Sequence, residues 1–238
     1  VQLSNYSASV SSAKITDSQA QFFEIEPVER IQDQQSQTPI VDPDPTELPV
    51  DCKIEKCIAL TFDDGPSIYT LEVLELLKRY NAKATFFCIG KNIKANLSLF
   101  EKLIRDGHSI GNHTMNHVNG WKIHTNDYIE NVKNCAQILE EIKPNNLIFR
   151  PPYGKIKKAQ SKILRKLGYK IIMWDVLSAD FDQSITPEKC LENVTKNVKS
   201  GSVIVFHDSI KASPNLKFAL PKTLHFLKEN GYTFDIIH

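Results

Sequence analysis

At residues 60–66 the chain reads Leu60-Thr61-Phe62-Asp63-Asp64-Gly65-Pro66, and this stretch decides how the rest is interpreted. The apolar residues before it predict a buried strand over 57–62. Two adjacent carboxylates stand where that strand leaves the core, and successive side chains of a strand point in different directions. One carboxylate could therefore bind a cation while the other accepts protons. Because Asp-Gly is also a common turn dipeptide, the stretch alone leaves a plain solvated corner open as well.

From residue 51 onward, short apolar runs alternate with segments of helical periodicity, which is typical of β-α units around a parallel sheet. About seven such units without a Gly-x-Gly-x-x-Gly motif predict an α/β fold, a distorted and incomplete (β/α) barrel, rather than a doubly wound nucleotide-binding sheet. Catalytic groups are then expected at the C-terminal ends of the strands. The expected strands are 57–62, 84–89, 109–112, 147–149, 169–174, 202–206 and 232–237. The expected helices are 69–80, 97–106, 126–142, 157–167, 187–198 and 216–229.

Composition divides the chain into two parts. Residues 1–50 are rich in Ser, Gln, Asp and Pro and carry eight acidic against two basic side chains, which predicts an N-terminal extension or linker with little structure. Residues 51–238 carry 27 basic and 20 acidic side chains and form the expected globular domain. Their lysines are spread along helical faces without interleaved aromatic residues, so we expect solvated surfaces and no nucleic-acid partner.

The five cysteines form no Cys-x-x-Cys pair, which argues against a cysteine-zinc site. Cys88 lies in an apolar run and is expected in the core. Cys52 and Cys57 flank a short charged loop and could form a disulfide in an oxidising compartment. No apolar run is long enough for a membrane span and no signal peptide is visible, so we expect no integral membrane segment. A monomer is expected.

Polar motifs follow several predicted strands. Behind the third strand, His113 and His117 are four residues apart, a spacing that on one helical turn brings two side chains to the same face and lets them share a metal. Two unrelated surface histidines would give the same pattern. With an aspartate from another strand end they would form a His2Asp set, which leaves a position for water, as in catalytic zinc sites.

Three further motifs follow later strands. Arg150-Pro151-Pro152-Tyr153-Gly154 is a loop that two prolines and a glycine make rigid, although a surface turn would look the same. Trp174 to Phe181 follows the fifth predicted strand, and His207 follows the sixth. A single histidine in such a place is usually a core residue, but the coincidence of polar motifs at five strand ends favours an active site.

Taken together, the motifs resemble the five motifs of the polysaccharide deacetylase family, which is also called the NodB-homology or carbohydrate esterase family 4 domain. The resemblance covers residues 55–238 in the expected order and spacing. The matching stretches are Thr61-Phe62-Asp63-Asp64-Gly65, His113 with His117, Arg150-Pro151-Pro152-Tyr153, Ser178-Ala179-Asp180-Phe181 and Val205-Phe206-His207.

The resemblance implies a role for each matching residue. A divalent metal, zinc or another transition metal, would be bound by Asp64, His113 and His117. Asp63 would be the general base, held and kept ionised by Arg150. The backbone N–H of Tyr153 would stabilise the oxyanion. His207 would be the general acid, oriented by Asp180. Val205, Phe181 and Trp174 would line the pocket for the acetyl group.

The fourth motif departs from the family pattern Asp-x-x-Asp-Trp. Leu177 stands at the first Asp and Phe181 at the Trp. Neither position should bind metal or move protons, so we expect altered substrate contacts with catalysis retained. Asp175 could replace the missing acid by pairing with Arg150.

The resulting expectation is a metal-dependent hydrolase that removes acetyl groups from N-acetylglucosamine units of peptidoglycan or chitin-like oligomers. A carbohydrate O-acetyl esterase, such as an acetylxylan esterase, is the alternative within the class. A glycan-binding module with a disabled site is the alternative outside it. The resemblance also implies a secreted or cell-envelope location, because these polymers lie outside the cytoplasm.

Overall fold

The computed structural model of the chain describes residues 56–142 and 147–238. Within these ranges strands and helices alternate along the chain, and a 3-10 turn, Pro152–Gly154, follows β4. The strands are β1 Cys57–Asp63, β2 Thr85–Cys88, β3 Ser109–Asn112, β4 Ile148–Phe149, β5 Lys170–Ile171, β6 Val176–Leu177, β7 Val203–His207 and β8 Thr233–Asp235. The helices are α1 Thr70–Arg79, α2 Gly90–Ala95, α3 Leu97–Arg105, α4 Thr125–Ile142, α5 Lys158–Lys166, α6 Pro187–Thr195 and α7 Ser213–Glu229.

All strand pairs are parallel and belong to one sheet with the order β5-β4-β3-β2-β1-β7-β6. The last strand, β8, pairs with the first, β1. The sheet curls into a half-barrel with helices, so the predicted incomplete (β/α) barrel is confirmed. Because the strands are parallel, their C-terminal ends and the loops that follow them lie at one edge.

Strand β1 is buried along its whole length and separates two apolar layers. Ile58, Leu60 and Phe62 pack in the large cluster that the helices cover. Cys57 and Ala59 point to the other face and pack in the smaller cluster inside the curled sheet. A strand buried on both faces requires a continuous apolar run, which is why residues 58–60 are recognisable in the sequence.

Most predicted elements are present, with local differences. Helix α6 begins as predicted: the Thr186 side chain accepts a hydrogen bond from Lys189 N at 3.2 Å, and Pro187 occupies the first turn. The short helix α2 was not predicted. The strand predicted over 169–174 is shorter, because β5 ends at Ile171 and a separate strand, β6, begins at Val176.

The described residues include four of the five cysteines and all the helices that could be compared with a membrane span. Cys57 is disulfide-bonded, and Cys88, Cys135 and Cys190 are buried free thiols. Cys52, the predicted partner of Cys57, lies outside the described residues, as does the predicted extension 1–50. None of the described helices combines the length and apolar character that crossing a bilayer requires.

Candidate active site

Asp64, His113 and His117 converge at the C-terminal edge of the sheet, and their ligand atoms lie within 4.8 Å of one another. Asp64 Oδ1 is 3.1 Å from His117 Nε2 and 3.6 Å from His113 Nε2. This oxygen is buried and has no hydrogen-bond partner in the described part of the chain. A buried carboxylate oxygen without a partner is costly unless a further group satisfies it.

The two histidines reach this position from a bent loop, so the predicted arrangement on one helical turn is wrong. Residues 113–119 contain no helix, and Thr114 and His117 have left-handed backbones with φ of 65° and 55°. His113 N donates a hydrogen bond to Cys88 O at 3.0 Å, which fixes the start of the loop against β2. The imidazole ring centroids are nevertheless only 5.1 Å apart.

The protonation states of His113 and Asp64 are those in which these side chains can bind a cation. Burial lowers the pKa of His113 to about 4, so its imidazole is neutral at neutral pH. Its Nδ1 is 2.8 Å from Arg150 O, which as an acceptor fixes the proton on Nδ1 and leaves the Nε2 lone pair free. Burial raises the pKa of Asp64, but the nearby imidazoles of His117, His207 and His113 outweigh burial and hold it well below its usual value.

The residues therefore fit a divalent metal. One carboxylate oxygen and two imidazole nitrogens are the donor types that zinc and similar transition metals bind, and a set of three leaves a position for another ligand. The unpartnered Asp64 Oδ1 supports this assignment, because a cation would satisfy it.

Asp63 lies beside this group in an ion pair with Arg150. Arg150 Nη1 donates to Asp63 Oδ1 at 2.8 Å and to Thr61 Oγ1 at 2.7 Å. The other carboxylate oxygen, Asp63 Oδ2, is 3.9 Å from His113 Nε2 and so faces the metal group. Both partners of the ion pair are buried, and Arg150 is completely inaccessible.

The Arg150 guanidinium occupies the interior of the half-barrel. It also donates from Nε to Ile172 O at 3.2 Å and from Nη2 to Met173 O at 3.1 Å. Its carbon Cζ lies 4.1 Å from the ring centroid of Phe87 and 5.6 Å from that of Trp174. Burial lowers the pKa of Arg150, and the adjacent Asp63 carboxylate opposes that effect.

Asp175 does not pair with Arg150, so that prediction is wrong. Its carboxylate accepts hydrogen bonds from Val203 N at 2.6 Å and from Ser202 Oγ at 2.8 Å. Asp175 therefore joins the segment before β6 to the start of β7, at the opposite end of β7 from His207.

His207 ends β7, and the register of the sheet pairs it directly with Asp63 on β1. Asp180 is fully buried and holds His207 twice, because its carboxylate accepts from His207 N at 2.7 Å and lies 2.8 Å from His207 Nδ1. Burial lowers the pKa of His207, but the Asp180 carboxylate outweighs it, and the pKa is raised to about 9. The ring is thus a cation at neutral pH, with Nε2 left for substrate.

Tyr153 occupies the middle of the 3-10 turn and has a left-handed backbone with φ of 59°. Gly154 N and Lys155 N donate to Pro151 O and Pro152 O, so the bonds of the turn do not use the Tyr153 N–H. The Tyr153 ring packs on His117 with ring centroids 4.5 Å apart. The Tyr153 side chain is therefore held against one of the histidines of the metal group.

The predicted pocket residues lie around these groups. Val205 precedes His207 by two residues on β7 and is buried. Phe181 packs edge-on against His207 with ring centroids 5.0 Å apart. Trp174 is partly buried against the inner apolar cluster and the Arg150 guanidinium. Leu177, at the position where the family pattern has Asp, is partly exposed and pairs with Val205 in the sheet.

One buried group at the site received no role from the sequence. Asp208 N donates to Asp63 O at 3.3 Å, and the Asp208 carboxylate accepts from Thr70 Oγ1. A Cβ at Gly65 would lie 2.2 Å from Asp208 Oδ2, so only glycine allows this approach. Burial raises the pKa of Asp208 to about 7. Asp208 thus fixes the loop that carries Asp63 and Asp64. Its position directly after His207 in the sequence is the signal that could have identified it as part of the site.

Comparison with known proteins agrees with this geometry. The family model described as polysaccharide deacetylase matches residues 51–172. A peptidoglycan-N-acetylglucosamine deacetylase of Bacillus cereus is 37% identical over 182 residues, which cover 76% of this chain and 85% of that protein.

Two solved structures are similar over about three quarters of this chain. The Bc1960 peptidoglycan N-acetylglucosamine deacetylase has a TM-score of 0.70 and 32% identity, covering 75% of this chain and 85% of its own. The Xyl-CE4 domain of a multidomain xylanase from the hindgut metagenome of Trinervitermes trinervoides has a TM-score of 0.70 and 31% identity, covering 77% of this chain and 88% of its own. The chain therefore belongs to the polysaccharide deacetylase family.

Proposed function

We propose that this chain is a zinc-dependent deacetylase that removes acetyl groups from N-acetylglucosamine units of a polysaccharide, either peptidoglycan or a chitin-like oligomer. The observation that carries the proposal is the pairing of Asp63 with His207 across β1 and β7, beside the convergent Asp64, His113 and His117. A proton acceptor, a proton donor and a cation-binding group are the three components that amide hydrolysis needs.

Asp64, His113 and His117 would hold the metal. A bound zinc ion supplies Lewis-acid chemistry, since it polarises the acetyl carbonyl and lowers the pKa of a water molecule to about 7. The neutral state of His113 and the ionised state of Asp64 are the forms that bind a cation.

Asp63 would act as the general base. Arg150 occupies its Oδ1, so Oδ2, which faces His113, is the atom that takes the proton from the attacking water. The Tyr153 N–H would donate to the acetyl oxygen while negative charge develops there. A donor fixed by the backbone of a rigid turn requires no reorganisation during the reaction.

His207 would act as the general acid. Asp180 binds its Nδ1, so Nε2 is the atom that donates a proton to the leaving nitrogen. An amide nitrogen is a poor leaving group without that proton, and the raised pKa of His207 keeps the donor protonated at neutral pH. Val205, Phe181 and Trp174 would line the acetyl pocket.

The same relatives support a proposal about location. Because the relatives named for peptidoglycan act on a cell-wall polymer, we infer a secreted or envelope location for this chain. We also propose residues 51–238 as the catalytic domain, residues 1–50 as an extension or linker, and a monomeric enzyme with a polysaccharide substrate.

The direct test is mass spectrometry of defined N-acetylglucosamine oligomers and muropeptides after incubation with the zinc-loaded protein. We expect products that have lost acetyl groups, and none in metal-free protein. Intact N-acetyl glycans after incubation with the fully metallated protein would overturn the proposal.

A carbohydrate O-acetyl esterase is the second candidate, because one similar structure is the Xyl-CE4 domain of a xylanase. Acetate release from acetylated xylan, but not from N-acetyl glycans, would favour it. A silent glycan-binding module is disfavoured by the complete Asp63–Arg150 and His207–Asp180 pairs, which binding alone does not need. Saturable glycan binding without acetate release at full metal occupancy would support that module.

A further inference from the structure

Two large aromatic side chains are exposed next to the proposed active site. Trp121 is 56% exposed and Tyr153 is 58% exposed. The indole of Trp121 is nevertheless fixed, because its Nε1 donates to Ile156 O at 3.2 Å. An aromatic face that is both exposed and held in one orientation suits a ligand with an apolar face, as a sugar ring has.

The loop that carries Trp121 is bound to the segment after Tyr153. Lys157 Nζ donates to Ile123 O at 2.6 Å, and the buried Gln160 donates from Nε2 to Gly120 O at 2.8 Å. A Cβ at Gly120 would lie 2.5 Å from Lys155 O, so this contact requires glycine. Because the two segments are held together, the aromatic surface is preorganised and loses little entropy on binding.

This surface lies near the proposed active site. The Tyr153 ring packs on His117 with ring centroids 4.5 Å apart. Trp121 follows His117 by four residues, so their Cα atoms can be at most about 14 Å apart even in a fully extended chain. An oligosaccharide with one acetamido group at the metal-binding side chains can therefore extend a neighbouring sugar toward Trp121.

A cationic side chain lies over the Trp121 ring. Lys155 Nζ lies 5.2 Å from the Trp121 ring centroid. Lys122, which follows Trp121 directly in the sequence, is exposed. Among the described residues, neither Lys155 nor Lys122 lies within 4 Å of a carboxylate, since every lysine ion pair involves other residues. An anionic group on a sugar next to Trp121 would supply the missing partner.

We propose that Trp121 and Lys155 form a subsite for a sugar adjacent to the one that is deacetylated, and that Lys155 selects a sugar carrying a carboxylate. The lactyl carboxylate of a muramic acid unit that carries no stem peptide has this chemistry, whereas a chitin-like glycan is neutral. The inference rests on the proposed deacetylase function and narrows its substrate class to an anionic glycan.

The test compares two tetrasaccharides as substrates of the zinc-loaded protein. One is the N-acetylglucosamine tetramer, and the other alternates N-acetylglucosamine with N-acetylmuramic acid. We expect Lys155→Gln to lower the ratio of kcat/KM for the anionic over the neutral tetrasaccharide about three- to fivefold, mainly through KM, as loss of an exposed ion pair would. Lys158→Gln is the matched control and should leave that ratio unchanged.

Trp121 is tested with two variants. We expect Trp121→Ala to raise KM for both tetrasaccharides about tenfold, because both lose the stacking surface. Trp121→Phe retains an aromatic face and should recover part of that loss. An unchanged KM for both tetrasaccharides in Trp121→Ala would overturn the subsite.

Binding of both tetrasaccharides, measured by calorimetry on wild type and Lys155→Gln, separates this inference from the proposed function. Lys155-dependent preference for the anionic tetrasaccharide without deacetylation would support the subsite and contradict the proposed function. If the protein deacetylates both tetrasaccharides and Lys155→Gln lowers kcat/KM equally for both, only the selectivity is contradicted. A fall of the kcat/KM ratio in Lys158→Gln as large as that in Lys155→Gln would also contradict the selectivity.

Discussion

At the scale of single residues, the central feature is that two neighbouring aspartates face the same imidazole. Asp63 Oδ2 and Asp64 Oδ1 lie 3.9 Å and 3.6 Å from His113 Nε2. Neighbours in a regular strand would point to opposite faces. Asp64 instead has a left-handed backbone with φ of 78°, and this turn redirects its side chain. One local conformation thus lets adjacent residues take the two different roles we propose.

The base role of Asp63 predicts the effect of Asp63→Asn. An amide cannot take the proton from water, so kcat should fall about 10²- to 10⁴-fold, the usual contribution of a general base. Metal content, measured by mass spectrometry of the purified protein, should be unchanged because Asp64, His113 and His117 remain. Full activity in Asp63→Asn would show that the base is another group.

The acid role of His207 predicts a pH effect. The group donates only when protonated, so kcat/KM should fall as pH rises above about 9, the raised pKa of His207. In Asp180→Asn the carboxylate that raises this pKa is lost while burial still lowers it, so the fall should occur at lower pH. The measurement is kcat/KM against pH, with Asp182→Asn as a control that should not shift the profile. A profile unchanged in Asp180→Asn would contradict the assignment.

Residue types were readable from the sequence, but their local conformations were not. The motifs led to every side chain of the candidate metal group and of both ion pairs. The helical turn predicted for His113 and His117 failed because Thr114 and His117 adopt left-handed backbones, which no glycine marks. Asp175 was misassigned because its partners, Ser202 and Val203, lie at the start of β7, about 28 residues further along the chain.

At the scale of secondary-structure elements, Arg150 links the C-terminal ends of several strands. It follows β4 and binds Thr61 and Asp63 on β1 and the backbone carbonyls just after β5. The two-residue strands β4 and β5 have few ladder bonds of their own, so side-chain donors carry part of the connection between them.

Removing this link should reduce stability. Arg150→Met leaves the Asp63 carboxylate buried without its partner, a change that typically costs about 3–5 kcal/mol. Urea unfolding followed by circular dichroism measures the loss. Arg165→Met, at an exposed position in α5, is the matched control and should change the free energy of unfolding by less than about 0.5 kcal/mol. Equal stability of the two variants would mean that Arg150 has no such structural role.

Elements with strong periodicity were predicted from the sequence, and short ones were not. Helix α2 has only six residues and begins with a glycine, so it lacks the repeated apolar spacing that identifies a helix. The apolar stretch 169–174 was predicted as one strand, but only Lys170–Ile171 pairs with β4. Pairing partners beyond the local sequence decide where such a strand ends.

At the scale of the whole molecule, metal binding should stabilise the fold, because the three proposed ligands come from two separate loops. Zinc at 100 times its dissociation constant should add about 2.7 kcal/mol to the free energy of unfolding. Thermal unfolding of chelator-treated protein with and without zinc measures this effect. His117→Ala should abolish it, and equal stabilisation of wild type and His117→Ala would place the metal elsewhere.

The predicted domain boundary is tested by expressing residues 51–238 alone. We expect this fragment to keep the thermal unfolding temperature and the kcat/KM of the full chain, since the charge and composition change at residue 51. A fragment that unfolds at lower temperature would show that residues 1–50 contribute to the domain.

The pairing of β1 with β7 and β8 sets an order of events during synthesis. β1 is made before its partners on β7 and β8, which follow it by more than 140 residues. Contacts between such distant segments slow folding, because a long loop must close before they form. Asp63 cannot meet His207 until the whole segment from β1 to β7 has left the ribosome, so a nascent chain that stops short of β7 has the proposed base without the proposed acid and cannot yet be competent for catalysis.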